Sequence, residues 1–272
     1  MLRGKKIAVL GVGKIGEAII RALIGRGGVQ AQDVTGTAAR DESAARIERL
    51  GIKAAPGNAL AAKGADVVVI AVKPTVVPQV CEEIAPVLAK GALVVSVAAA
   101  VTTKTLEAAL GADVPVIRVM PNTPCLLGEG MSVLARGKSA KDEHLRLARE
   151  LFDAVGRTAV LDEKLMDGVT GLSGSGPAYV YVVIESVAEA GVKVGIPRDV
   201  STLLAAQTVL GAARMVLELG EHPALLKDAV TTPAGCTVDG LLELEEGGLR
   251  VTLIKAVMRA TERARELAPP AR

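Results

Sequence analysis

A chain of 272 residues is long for one core and short for three, so two domains are expected. Half of the residues are hydrophobic but only 1% are aromatic, so the core must be aliphatic; a net charge of +2, spread along the chain without a basic stripe, argues against a nucleic-acid groove. Cys81, Cys125 and Cys236 are odd in number and widely spaced, which suggests neither a disulfide framework nor a zinc site and fits a reducing compartment.

The start, MLRGKK followed by IAVLGVG, has the charge and apolarity of a signal peptide, but Lys14 and Glu17 interrupt it and no small-residue cleavage site follows. Ala92 to Thr103, taken as the longest apolar stretch, is shorter than the roughly 20 residues of a membrane-spanning helix. A cytoplasmic protein with no membrane or nucleic-acid partner is expected.

Short continuous β-branched runs at Lys6 to Leu10, Asp33 to Thr37, Val67 to Val72, Leu93 to Val97 and Pro115 to Val119 predict strands buried on both faces. Between them, Ile15 to Arg26, Glu42 to Leu50, Val77 to Leu88 and Thr105 to Leu110 place apolar residues three and four apart, and Gly27, Gly51, Gly91 and Gly111 stand where those helices stop. The alternation predicts an α/β Rossmann domain, a doubly wound parallel sheet, over residues 1–163. From Leu165 the pattern turns helical: Ser175-Gly176-Pro177 opens a helix to Lys193, and helices follow at Arg198 to Leu219, Thr237 to Glu246 and Leu249 to Leu267. Residues 164–272 thus form an all-α domain. The apolar breadth of Val200 to Val216 exceeds what about 100 residues can bury alone, so a homodimer or larger homo-oligomer is expected. The tail Ala268 to Arg272 is expected to fray.

Gly11-Val12-Gly13-Lys14-Ile15-Gly16 leaves a strand at Leu10 and opens a helix, the context in which G-x-G-x-x-G binds a dinucleotide. Gly11 permits the turn, Gly13 lets the pyrophosphate approach, and Gly16 lets helix and strand pack. After the second strand, Thr35 to Arg40 shows no carboxylate for a ribose 2′-hydroxyl; Thr37 and Arg40 offer a hydroxyl and a guanidinium that suit a 2′-phosphate, which favours NADPH, with NADH possible. Ala71-Val72-Lys73-Pro74 ends a central strand at the ligand crevice. Asn58 and Ala98 complete the expected cofactor set.

In the helical half, Thr170 to Tyr179 (TGLSGSGPAY) and Asp228 to Thr237 (DAVTTPAGCT) each gather small and hydroxyl residues before a helix, where backbone N–H groups can receive a carboxylate; close helix packing with an ordinary cap is the alternative for either alone. Together with the glycine fingerprint, the AVKP strand end, Val119 to Pro124 and Gly247 to Leu267, they resemble pyrroline-5-carboxylate reductase over essentially the whole chain. The resemblance implies a Rossmann domain, a helical domain that interlocks with a second subunit, and NAD(P)H-dependent reduction of 1-pyrroline-5-carboxylate to proline. It also implies that Val230, Thr231, Thr232, Gly235 and Cys236, with Ser175, bind the substrate, and that Thr237 faces the ring nitrogen as the catalytic residue. The family usually has two glycines after the loop proline; here Ala234 precedes Gly235, which matters if that position needs a positive φ.

A cyclic imine protonates readily near neutral pH, so hydride transfer needs positioning more than a strong acid. His144 and His222 are accordingly expected to be a solvated helix residue and a loop residue. Two other readings stand beside this one. A β-hydroxyacid dehydrogenase would need a lysine early in the interdomain helix, and Ser175 to Ser186 has none; a noncatalytic NADP-binding regulator would keep the fold without turnover.

Overall fold

The computed structural model describes residues 2–38 and 41–267. In chain order these form β1 (Ile7–Leu10), α1 (Lys14–Gly25), β2 (Val34–Thr37), α2 (Asp41–Leu50), β3 (Lys53–Ala54), α3 (Asn58–Ala62), β4 (Val67–Ile70), α4 (Val77–Ile84), β5 (Leu93–Ser96), α5 (Thr103–Leu110), β6 (Val116–Met120), β7 (Gly130–Arg136), α6 (Asp142–Asp153), β8 (Gly156–Val160), α7 (Met166–Val169), α8 (Gly176–Lys193), α9 (Arg198–Leu219), α10 (Pro223–Ala229), α11 (Cys236–Glu246) and α12 (Leu249–Glu266). Ser175–Met258 is one compact unit and the rest of the described chain is the other. Arg40 and the tail Ala268 to Arg272 lie outside the described residues.

The strands form one sheet in the order β3-β2-β1-β4-β5-β6-β7-β8. β1 to β6 run parallel, whereas β7 is antiparallel to β6 and β8 is parallel to β7. The doubly wound parallel sheet expected for the Rossmann domain is present in β1 to β6, and β7 and β8 extend it beyond the predicted strands. β3 is a two-residue exposed edge, and β7 and β8 carry Ser, Thr and Arg among small residues, so none shows the continuous apolar run that marks a doubly covered strand. α4 ends at Ile84 and a tight turn covers Ala85–Val87, short of the predicted Leu88, because Pro86 lacks the N–H that would continue the helix.

Alternate residues of each central strand feed opposite layers. Ile7, Val9, Val67, Val69 and Val95 pack with Ile19, Ile20 and Leu23 of α1 and with Leu151 and Phe152 of α6. Ala8, Leu10, Val68, Ile70 and Val94 pack with Val80 and Ile84 of α4 and Leu106 of α5. Among the described residues, one charged group enters this interior: Arg118 on β6 is 3% exposed and donates through Nη1 to Glu163 Oε1 at 3.3 Å. Glu163 also accepts the Thr103 N–H at 2.7 Å and the Thr103 hydroxyl, which fixes a carboxylate at the N-terminus of α5.

In the helical unit α8 and α9 approach closely because Gly191 leaves room for Ser201, whose hydroxyl donates to the Ala188 carbonyl at 2.6 Å. Most of the rest of α9 is exposed in the single chain. Its 22 residues are long and apolar enough, by length and composition, to cross a membrane, which corrects the expectation that Ala92 to Thr103 is the longest apolar stretch. Leu203, Leu204 and Leu210 are each at least half exposed in the single chain.

Candidate active site

The glycine turn separates three structural demands. Gly11 has φ +89°, and a Cβ there would stand 2.7 Å from Val72 Cγ1 and 3.1 Å from the Ala71 carbonyl. At Gly16 a Cβ would stand 2.8 Å from the Gly11 carbonyl, so the turn could not close on α1. Gly13 meets nothing within 4 Å and has a negative φ, so the protein itself does not require glycine there. What its missing side chain provides is open space at the N-terminus of α1, where no side chain caps the helix. Backbone N–H groups and the positive end of the helix dipole face that space, and a dinucleotide pyrophosphate fits it.

Those of the other expected cofactor residues that are described lie around this turn, at the carboxyl ends of the parallel strands. The Ala71 N–H donates to the Leu10 carbonyl at 2.8 Å and Val97 N–H to the Ile70 carbonyl at 3.0 Å, tying the ends of β1, β4 and β5 together. The order of the sheet reverses between β1 and β4, which is where open α/β sheets bind ligands. Thr37, the last residue of β2, takes the Gly11 N–H on its hydroxyl at 3.1 Å and donates to Asn58 Oδ1 at 2.8 Å. Lys14 and Lys73 are exposed, Ile15 is half-buried, and Pro74 opens a single turn after β4. Ala98 is buried, its N–H 3.3 Å from Ser96 Oγ. Two features here escape pattern reading: Glu83, which accepts from Asn58 Nδ2 at 2.7 Å, and Ala100, held at φ +61° beyond β5.

The two small-residue segments of the C-terminal half differ. In the first, the hydroxyls of Thr170 and Ser173 are spent on the carbonyls of Met166 and Val169, Asn122 Nδ2 donates to the Ser173 carbonyl at 3.1 Å, and a Cβ on Gly174 would stand 2.7 Å from Met120 Cε. These residues build a π-turn ahead of α8, and the side chain of Ser175 makes no capping bond to that helix. In the second, α10 ends at Ala229, the following Val230 is 62% exposed, and Thr231 returns its hydroxyl to the Lys227 carbonyl at 2.8 Å. Thr232 receives the Gly235 N–H on its carbonyl at 2.9 Å, closing a turn over Pro233 and Ala234. Gly235 is the N-cap of α11, so Cys236 and Thr237 are its first residues and no side chain caps it. Thr237 is therefore not the cap of α11. The loop presents uncapped N–H groups and a hydroxyl together, an arrangement suited to a carboxylate beside a ring nitrogen.

Both histidines have local tasks. His144 accepts the Lys141 N–H on Nδ1 at 2.9 Å and caps α6, and burial lowers its pKa. His222, expected in loop, is the N-cap of α10, accepting the Ala224 N–H at 3.2 Å. Burial pushes the Cys81 thiol up to about 11 and raises that of Cys125, which leaves neither as a ready nucleophile. A groove lined by Lys5, Asp66, Lys90 and His144 lies at the amino ends of β4 and β5, the opposite end from the glycine turn, and Lys5 and Asp66 pair across it at 3.0 Å.

Comparison with known proteins decides the family. Residues 163–267 match the family model described as pyrroline-5-carboxylate reductase dimerisation, and residues 6–100 match one described as NADP oxidoreductase, coenzyme F420-dependent. A pyrroline-5-carboxylate reductase of Glycine max is 46% identical over 96% of this chain and 95% of its own length. The chain belongs to the pyrroline-5-carboxylate reductase family. Its relative in Methanosarcina acetivorans is 42% identical over 98% of this chain and 99% of that protein. Among solved structures, the pyrroline-5-carboxylate reductase of Coxiella burnetii superposes with a TM-score of 0.92 at 35% identity, covering 97% of this chain and 99% of that one. The pyrroline carboxylate reductase of Plasmodium falciparum, solved with NADP bound, gives 0.88 at 30% identity, covering 98% and 99%.

Against that reductase family's double glycine, Ala234 takes on a physical meaning: it is held at φ +59°, the left-handed region that costs a residue with a Cβ. Ala234→Gly should therefore raise stability by about 1 kcal/mol, the left-handed strain less the extra entropy of glycine in the unfolded chain. Thermal melting checks this; an unchanged or lowered midpoint would show that the loop carries no strain there.

Proposed function

We propose that this chain reduces 1-pyrroline-5-carboxylate to proline, with the cofactor held by the Rossmann unit and the substrate by the loop Val230 to Thr237 of the helical unit. The observation that carries the reading is the loop itself: an uncapped helix start, with Thr237 as its second helical residue, in a chain of this family. NADPH, when bound, supplies the hydride. Gly11, Gly13 and Gly16 with the N–H groups of α1 hold its pyrophosphate, and Leu10, Lys14, Ile15, Ala71 to Pro74 and Ala98 line the crevice. Thr37 and Asn58 stand at the adenosine end, to which the sequence adds the guanidinium of Arg40, outside the described residues. The N–H groups of Cys236 and Thr237 fix the substrate carboxylate, and Thr231, Thr232, Gly235 and Ser175 border it. The Thr237 hydroxyl orients the ring nitrogen. The imine takes up its proton readily before reduction, so this constellation needs no histidine, and both histidines are engaged as helix caps. The test is NADPH consumption, followed by absorbance, with 1-pyrroline-5-carboxylate set against a β-hydroxyacid and NADP as the competing pair; turnover of the second pair alone would overturn the reading.

The active form is a homodimer through the helical unit. α9 leaves Leu203, Leu204 and Leu210 at least half exposed in the single chain, an apolar face of the kind that marks an interface, and the matched family segment is a dimerisation segment. Light scattering should return at least twice the 27.8 kDa chain mass at the lowest measurable concentration, and thermal unfolding should shift with protein concentration. A folded, active monomer would contradict this.

A further inference from the structure

The donor and acceptor roles at the end of β2 are decided from outside the crevice. Glu83 of α4 is a carboxylate and only accepts: its oxygens take Asn58 Nδ2 at 2.7 Å and Gln79 Nε2 at 2.8 Å. Asn58 must turn its amide nitrogen to Glu83, because the reverse orientation sets oxygen against oxygen. That places Asn58 Oδ1, an acceptor, 2.8 Å from Thr37, so the Thr37 hydroxyl proton goes there. Thr37 Oγ1 then accepts the Gly11 N–H at 3.1 Å. A hydroxyl has one proton and two lone pairs, so among the described residues a single acceptor position on Thr37 is left without a partner. Thr37 is 6% exposed, and the chain of partners leaves its hydroxyl no other arrangement.

We propose that Glu83 is a specificity-determining residue that acts through Asn58: it fixes Thr37 as an acceptor toward the cofactor. This rests on the reading that the adenosine ribose lies at Thr37. Locked in this way, Thr37 receives a hydrogen bond from a ribose 2′-hydroxyl and can give none to a 2′-phosphate, so it favours NADH. Preference for NADPH must be carried by other groups, and Glu83 limits its size. Glu83→Gln keeps the shape of the side chain but can donate, which lets Asn58 turn over and releases the Thr37 proton to a phosphate.

The test is titration of substrate-free protein with NADPH and with NADH, giving a ratio of dissociation constants for the wild type, Glu83→Gln, Thr37→Val and the double variant. Glu83→Gln should move the ratio toward NADPH by roughly tenfold, the size of one charge-assisted hydrogen bond, with little change in the melting of the free protein. In the Thr37→Val background the same exchange should move it by less than about twofold, since sites that act only through each other are not additive. Thr37→Ser should keep the wild-type ratio. Where Thr37→Val does not fold, Asn58→Ala cuts the connection one residue earlier and serves as the background. Equal shifts in both backgrounds would overturn the proposal, because Glu83 would then act by its charge alone. A ratio altered by Thr37→Val but not by Glu83→Gln also overturns it while leaving the ribose at Thr37. A ratio untouched by any variant overturns the placement of the ribose itself.

Discussion

Thr237→Ala should lower kcat/KM for 1-pyrroline-5-carboxylate by roughly 10- to 150-fold, the loss of a hydrogen bond to a charged group worth about 1.5–3 kcal/mol. The structure separates this from a folding defect. Gly235 holds the N-cap position, Thr237 is the second residue of α11, and no side chain caps that helix. Removing the hydroxyl therefore removes no cap, and alanine is the better helix former. Melting should stay within about 0.5 kcal/mol of wild type, NADPH affinity should be unchanged, and Thr237→Ser should keep most of the activity. An alanine variant with normal kcat/KM, or one that loses activity only in proportion to lost stability, would refute the role of Thr237.

Glu163→Ala should have the largest effect on stability, about 3 kcal/mol, because it removes the part-exposed carboxylate that pairs with Arg118 and leaves that buried charge uncompensated. Arg118 is 3% exposed, and its Nη2 already has no partner among the described residues. Nη1 depends on Glu163, which also receives the N–H and hydroxyl of Thr103 at the start of α5. Glu163→Gln keeps an acceptor for Thr103 and should lose less. Urea unfolding measures both; a loss below about 1 kcal/mol for Glu163→Ala would show that Arg118 finds solvent or another acceptor when its partner is gone.

What the sequence made legible follows from how locally each feature is enforced. The fingerprint glycines answer backbone demands at Gly11 and Gly16 and, on the proposed reading, a ligand's demand at Gly13, so residue type and spacing suffice to read them. The start of α8 at Gly176 and the start of α11 near Thr237 were legible for the same reason, through Pro177 and the small residues that precede each helix. β7 and β8 were not, since their Ser, Thr and Arg residues mask strands whose burial comes from neighbours far along the chain. Glu83 reads as one more exposed carboxylate on a helix; only the fold brings Asn58 of α3 and Thr37 of β2 onto it. Ala234 was legible as a condition, a methyl group that matters if φ is positive, and the condition is met.

The central claim is hydride delivery to a cyclic imine, and its most direct measurement is product stoichiometry. Purified protein supplied with NADPH and 1-pyrroline-5-carboxylate should form one proline for each NADPH oxidised, with no NADPH consumed when the imine is omitted. NADPH binding without proline formation, in a folded dimeric preparation, would contradict the account and leave a cofactor-binding protein without this chemistry.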